Sequence, residues 1–331
     1  MKNNFKKPLF GLTAIFTAFL AAACAPVSED EQASGGASDD QVVIFTNADE
    51  EPANIIQETL NSNGFEGEYV LQSFGTSELG GKLMAEGADT EADLVTMSTF
   101  YLTSAQEANE MFQSLELPTQ PLGNTEDFVA PMTGQEGVMF YNSQAIEDAG
   151  LELPTSLKDL ADDQYAGQIT IPDINHSSTA WLLFQALIDT YGEGEAQTIL
   201  KGIYENAGNL IEQSGSGPLQ KVQSGEAAIG FGLRHQALAA NEDSDLIQVI
   251  EPEEGSYVLT ESFALLDKGE NSNPKAQEML DILVEQARPE IQKLYPTPLY
   301  EGEESTSSEE SKTFSEPLTA ELLEDHKALV D

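Results

Sequence analysis

Residues 42–61 read VVIFTNADEEPANIIQETLN. The β-branched and aromatic run 42–45 ends at Thr46-Asn47-Ala48-Asp49, and residues 52–61 then place Ile55, Ile56 and Leu60 at the spacing of one helix face. A strand therefore leads into a helix. The strand signal returns at 69–74, the helix signal at 77–87, and a third strand at 92–97. This β-α-β-α-β rhythm predicts a parallel, doubly wound sheet.

A second series starts near Phe128. Strands are expected at 128–132, 137–141, 168–171, 227–231, 247–251 and 263–266. Helices are expected at 157–162, 179–191, 194–206, 218–224, 235–241 and 274–285, and from Thr319. Two α/β lobes fit this series better than one. Residues 301–317 are acidic and of low complexity, and read as a loop before the terminal helix.

The 331 residues carry 14 Lys+Arg against 58 Asp+Glu, a formal charge of −44. A polyanion of this strength repels phosphate backbones, which excludes nucleic acid as a partner. One cysteine rules out an intramolecular disulfide or a cysteine-cluster metal site, and no cofactor is implied. With 40% hydrophobic residues the chain has the material for real cores.

Lys2, Lys6 and Lys7 precede an uncharged stretch at 9–23 that ends in small residues before Cys24, the pattern of a secretory signal (1–23). Leu20-Ala21-Ala22-Ala23-Cys24 resembles a bacterial lipobox, which implies lipidation of Cys24 and anchorage to the outer face of the cell membrane. Residues 24–40, rich in Gly, Ser and acids, read as a flexible acidic tether. The exported part would carry 11 basic against 58 acidic residues, or −47.

Three segments place hydroxyls or glycines immediately before a helix: Gly75-Thr76-Ser77, Ser177-Ser178-Thr179, and Ser214-Gly215-Ser216-Gly217. The unpaired N–H groups of a first helical turn and its partial positive charge suit an anion, and hydroxyls add donors. Each cluster alone is more simply an N-cap; three on two lobes suggest a shared purpose.

Gly75-Thr76-Ser77 with Lys82-Leu83 and Ala85-Glu86, then Ala92-Asp93-Leu94-Val95, resembles the first-lobe signature of ABC-transporter solute-binding proteins of the iron(III), thiamine, phosphonate and sugar-phosphate group. Tyr165-Ala166-Gly167 through Asp173, and Ser214 through Gly225-Glu226 to Gly230, resemble later elements of the same family in the same order. The resemblance runs from about residue 41 to 300. It implies the periplasmic-binding-protein type II fold, in which two doubly wound α/β lobes are joined by crossing strands with a ligand cleft between them. Lobe 1 would comprise residues 41–129 and 263–331, and lobe 2 residues 130–262. It also implies a monomer that hands a small ligand to the transmembrane permease subunits.

Iron-binding relatives carry a tyrosine pair where this chain has Arg234-His235. Arg234, one of two arginines in the chain, offers a planar fork matched to oxyanions. The ligand is therefore expected to be a small anion, a phosphonate or organophosphate of the 2-aminoethylphosphonate kind. Its cradle would be Thr76, Ser77, Ser177, Ser178, Thr179, Ser214, Ser216 and Arg234. Asp49, Glu50 or Glu136 would meet an amine at the far end. Tyr101 is expected as an aromatic wall and His235 as a further contact, with His176 a weaker one. Trp181 reads as core and His326 as surface. Iron(III) is the alternative ligand, and presentation of the ligand to a membrane kinase an alternative role. An exported hydrolase is disfavoured, because Gly215-Ser216-Gly217 lacks the flanks of a nucleophile elbow and the three histidines form no zinc motif.

Overall fold

The computed structural model describes residues 41–123, 125–304, 312, 314 and 319–330, which fall in one compact unit. The expected signal segment (1–23), the expected lipidation site Cys24, the expected tether and most of residues 301–317 lie outside the described residues.

The chain opens with β1 (Val42–Thr46), α1 (Glu50–Leu60), β2 (Tyr69–Ser73), α2 (Thr76–Glu86), β3 (Leu94–Ser98) and α3 (Thr99–Asn109). It continues through β4 (Ala130–Asn142), α4 (Ser143–Ala149), β5 (Ile169–Pro172), α5 (Ala180–Tyr191), α6 (Glu193–Ala207), β6 (Ile211–Glu212) and α7 (Gly217–Gln223). The remaining elements are β7 (Ile229–Leu233), α8 (Arg234–Asp243), β8 (Ile247–Ile250), β9 (Val258–Leu265), α9 (Pro274–Ile282), α10 (Arg288–Leu294) and α11 (Ala320–Lys327).

Strand β1 pairs in parallel with β2 and β3, as the opening stretch predicts. Its five residues are all buried because both faces of the sheet are covered. Val42 and Ile44 point into the core beneath α1, α9 and α10, while Val43 and Phe45 point into the core beneath α2 and α3. In the second half, β5 pairs in parallel with β6 and β7, and β4 runs antiparallel to β7 and β8.

Strands β4 and β9 connect the halves. β9 pairs antiparallel with β3 through its C-terminal part and with β4 through its N-terminal part; beyond Glu136, β4 leaves β9 for β7 and β8. The two strands expected at 128–132 and 137–141 are thus one strand of 13 residues. The intervening Gly134 and Gly137 are required by close packing. A Cβ on Gly134 would lie 2.8 Å from Thr297, and one on Gly137 would lie 2.7 Å from Phe231 and 2.8 Å from Leu182.

The terminal helix corrects one expectation. Leu323 and Leu329 join the core around Trp181 and Phe184, which also takes in Phe100 of α3, and α11 lies against α3. His326 is not a surface residue. It is 3% exposed and meets the edge of Trp181 at 5.0 Å between ring centroids. Trp181 is core, as expected. No helix among the described residues is long and apolar enough to cross a membrane.

Candidate functional site

The starts of α1 and α2 in one half meet the start of α8 and the loop before α5 in the other, through Asp49–Gln236 and Ser77–Asn175. Doubly wound sheets bind ligands at such strand ends, where loops turn into helices.

The three hydroxyl clusters converge. Ser77 Oγ donates to the carbonyl of Asn175 at 2.9 Å, joining the first cluster to the loop that carries the second. A Cβ on Gly215 would lie 2.3 Å from Thr179 Oγ1 and 3.5 Å from Ser177 Oγ, so the third cluster packs directly on the second. Ser177, Ser178 and Thr179 are buried. Ser177 Oγ accepts from Thr179 N at 3.3 Å and Ser214 Oγ from Gly217 N at 3.0 Å, which leaves both hydroxyl protons free of these bonds. Ser216 lies 3.4 Å from Ser214. Tyr101, at the start of α3, lies against Gly80, where an added Cβ would come within 2.8 Å of its ring. Burial, opposed by a hydrogen bond with Ser77, pushes its phenol up to about 12.

Arg234 corrects its expectation. The guanidinium does not present a free fork to an anion, because carboxylates already occupy it. Nη1 and Nη2 engage Glu251 in a bidentate pair, Nη2 reaches Glu251 Oε2 at 2.6 Å and Ser256 Oγ at 2.9 Å, and Nε lies 2.6 Å from Glu136 Oε2. The other arginine is spent in the same way. Arg288, 1% exposed, holds Glu303 and the carbonyls of Met132 and Thr297.

Beside Arg234 the cleft turns acidic. Asp49, the residue before α1, accepts from Gln236 Nε2 at 3.2 Å, a second hydrogen bond between the halves. Glu261 on β9 is 3% exposed and accepts from Asn47 Nδ2 at 3.1 Å and from Thr133 Oγ1 at 3.4 Å. Burial, and next the charge of Glu51, raise Asp49 to about 6. Burial, and next the charge of Asp49, raise Glu261 to about 7 against the hydrogen bonds it receives. Tyr295 is pushed well up, first by burial and then by Asp49, Glu261 and Glu51. The His235 ring lies 4.0 Å from that of Tyr295, and burial lowers its imidazole to about 3. Glu136, Arg234, His235 and Tyr295 line a cavity of about 10 Å³, the size that takes roughly one water.

Asn47 joins the two ends of the cleft, since its Nδ2 also donates to Thr76 Oγ1 at 3.1 Å. Of the acids expected beside the ligand, Asp49 and Glu136 lie at this end of the cleft, whereas Glu50 is exposed on α1. His176 is exposed and pairs with Asp173 at 2.8 Å. Sequence reading missed Glu261, Tyr295, Asn47 and Gln236. Of these, Glu261 had a signal, as an acid inside the run Val258–Leu265. Among the described residues no three His, Cys, Asp or Glu side chains gather as a metal-binding group.

Residues 89–323 match the family model of bacterial extracellular solute-binding proteins. An uncharacterised protein of Haemophilus influenzae is 26% identical over 258 residues, 73% of this chain and 71% of its own length. The fold matches AfuA, a periplasmic binding protein from Actinobacillus pleuropneumoniae solved with exogenous fructose-6-phosphate (TM-score 0.70, 19% identity, 88% of this chain and 96% of that one). It equally matches iron-bound HitA from Pseudomonas aeruginosa (TM-score 0.68, 18% identity, 88% and 98%). The architecture is the periplasmic-binding-protein type II fold, and the chain belongs to the bacterial extracellular solute-binding proteins.

Proposed function

We propose that the protein is the lipid-anchored receptor of an ABC importer, capturing a small phosphonate or organophosphate outside the membrane and passing it to the permease. The observation that carries this reading is the convergence of the hydroxyl clusters, with Ser77 of the first half bonded to the loop that leads into Ser177, Ser178 and Thr179, and Gly215 packed on Ser177 and Thr179. In a chain of this net charge, attraction of an anion falls to local donors, and neutral hydroxyls with helix N-termini supply them without a counter-charge. Arg234 holds the cleft wall rather than the ligand. The bonds Ser77–Asn175 and Gln236–Asp49 join the halves, and the ligand enters as they break and the halves part.

Thermal-shift measurements on the chain lacking residues 1–24 test the reading, because a ligand that binds only the native state raises its melting point. A shift with phosphonates or phosphate esters, weakened in Thr76→Ala and Ser178→Ala, is the expected result. A shift with ferric citrate alone would replace it with iron(III) capture, and none with any of these ligands would remove it.

A further inference from the structure

The acidic end of the cleft accepts hydrogen bonds and offers almost none. Asp49 and Glu261 supply carboxylates. Asn47 and Gln236 spend their amide nitrogens on those carboxylates, and their carbonyl oxygens, Oδ1 and Oε1, are buried without a partner. Glu136, 4% exposed and lining the cavity, has in Oε2 a third buried oxygen that makes no hydrogen bond, held only by its ion pair with Arg234. Unpaired acceptors buried in this way cost stability until a donor meets them.

The charges around the pair favour a cation. Arg234 is balanced by Glu136 and Glu251, and Glu51 on α1 adds a negative charge beside Asp49. Burial keeps both Tyr295 and His235 neutral. Two neighbouring carboxylates, one buried and one half-buried, do not both ionise readily without a counter-charge.

We propose that this end of the cleft binds a primary ammonium group, taking it up in exchange for a proton that Asp49 and Glu261 hold between them. The ammonium's three N–H donors meet the carboxylates and the spare oxygens of Asn47 and Gln236, and the displaced proton passes to solvent. The raised positions of Asp49 and Glu261 place this exchange near neutral pH. The inference rests on the cleft being the ligand site, and it makes the ligand a zwitterion, phosphoryl at one end and ammonium at the other.

Isothermal titration of the chain lacking residues 1–24 separates the two ideas. The probes are 2-aminoethylphosphonate, ethylphosphonate and ethanolamine, each in two buffers of different ionisation enthalpy. At pH 6.5 the aminophosphonate is expected to release a fraction of a proton and to bind at least tenfold more tightly than ethylphosphonate. Its affinity should fall as the pH drops below 6, approaching about tenfold per pH unit for each proton exchanged. Asp49→Asn and Glu261→Gln, which keep side-chain shape, should each weaken it at least tenfold and reduce the proton release. Equal binding of both phosphonates, or heat independent of buffer, overturns the exchange and leaves the phosphoryl reading intact. Ethanolamine binding with proton release while neither phosphonate binds keeps the exchange and removes the phosphoryl reading. Binding of none of the three removes both.

Discussion

Asp49 and Glu261 on one side, and His235 and His326 on the other, set opposite limits on stability in the chain without ligand. Asp49 and Glu261 have native values of about 6 and 7 against ordinary values of 3.8 and 4.5. Their contribution is fully present below about pH 4 and is lost as pH rises through 6 to 7. His235 and His326 are lowered from 6.5 to about 3 and about 4, so theirs is present above pH 6.5 and lost as pH falls towards 4. Glu261→Gln should therefore raise the melting temperature at pH 8, by a few degrees for each kcal/mol or so gained, and change it little at pH 4; thermal scans at both values check this. Arg234→Ala strips the counter-charge from Glu136, buried at 4% exposure. Orphaning a buried carboxylate costs about 3–5 kcal/mol, which a urea titration reads directly.

Among the elements, alternation of β-branched runs with helical periodicity was enough to place β1, β2, β3, β5, β7 and β8, because each lies in a parallel or half-buried setting that its own residues announce. Strand β4 was not legible as one piece. Residues 133–136, among them Gly134, carry no strand signal of their own, yet Gly134 and Gly137 mark where Thr297, Phe231 and Leu182 press on the backbone. Gly137→Ala is expected to destabilise by about 1–3 kcal/mol through overpacking, seen as a lower urea midpoint at unchanged slope. Helix α3 escaped notice because it follows β3 without any turn residue. The hydroxyl clusters were visible because small polar residues before a helix have a local cause. Glu261, Tyr295 and Gln236 meet Asp49 only through tertiary contacts between distant segments, and no spacing encodes that meeting. Arg234 was visible as a residue, but its partners were not, and the partners decide its role.

Taken whole, the described residues form two packed halves on a pair of continuous strands, with a terminal helix that lies against α3 and closes the core around Trp181. Phe100 of α3 packs 4.7 Å from Trp181 of α5, so the two halves share an apolar contact as well as the hydrogen bonds at Ser77 and Gln236. Removing residues 319–331 would uncover the Trp181 side of the second core, and a drop in melting temperature of the shortened chain is the expected outcome. Trp181 is also the single tryptophan of the chain. Its ring touches Phe100 from the first half and His326 from the terminal helix. The chain therefore carries its own optical probe: indole emission excited near the red edge of its absorption comes from one place only, the seam that opening must disturb. Red-shifted emission would time the parting of the halves with no dye attached, and stopped-flow mixing with a ligand would read capture as the colour returns.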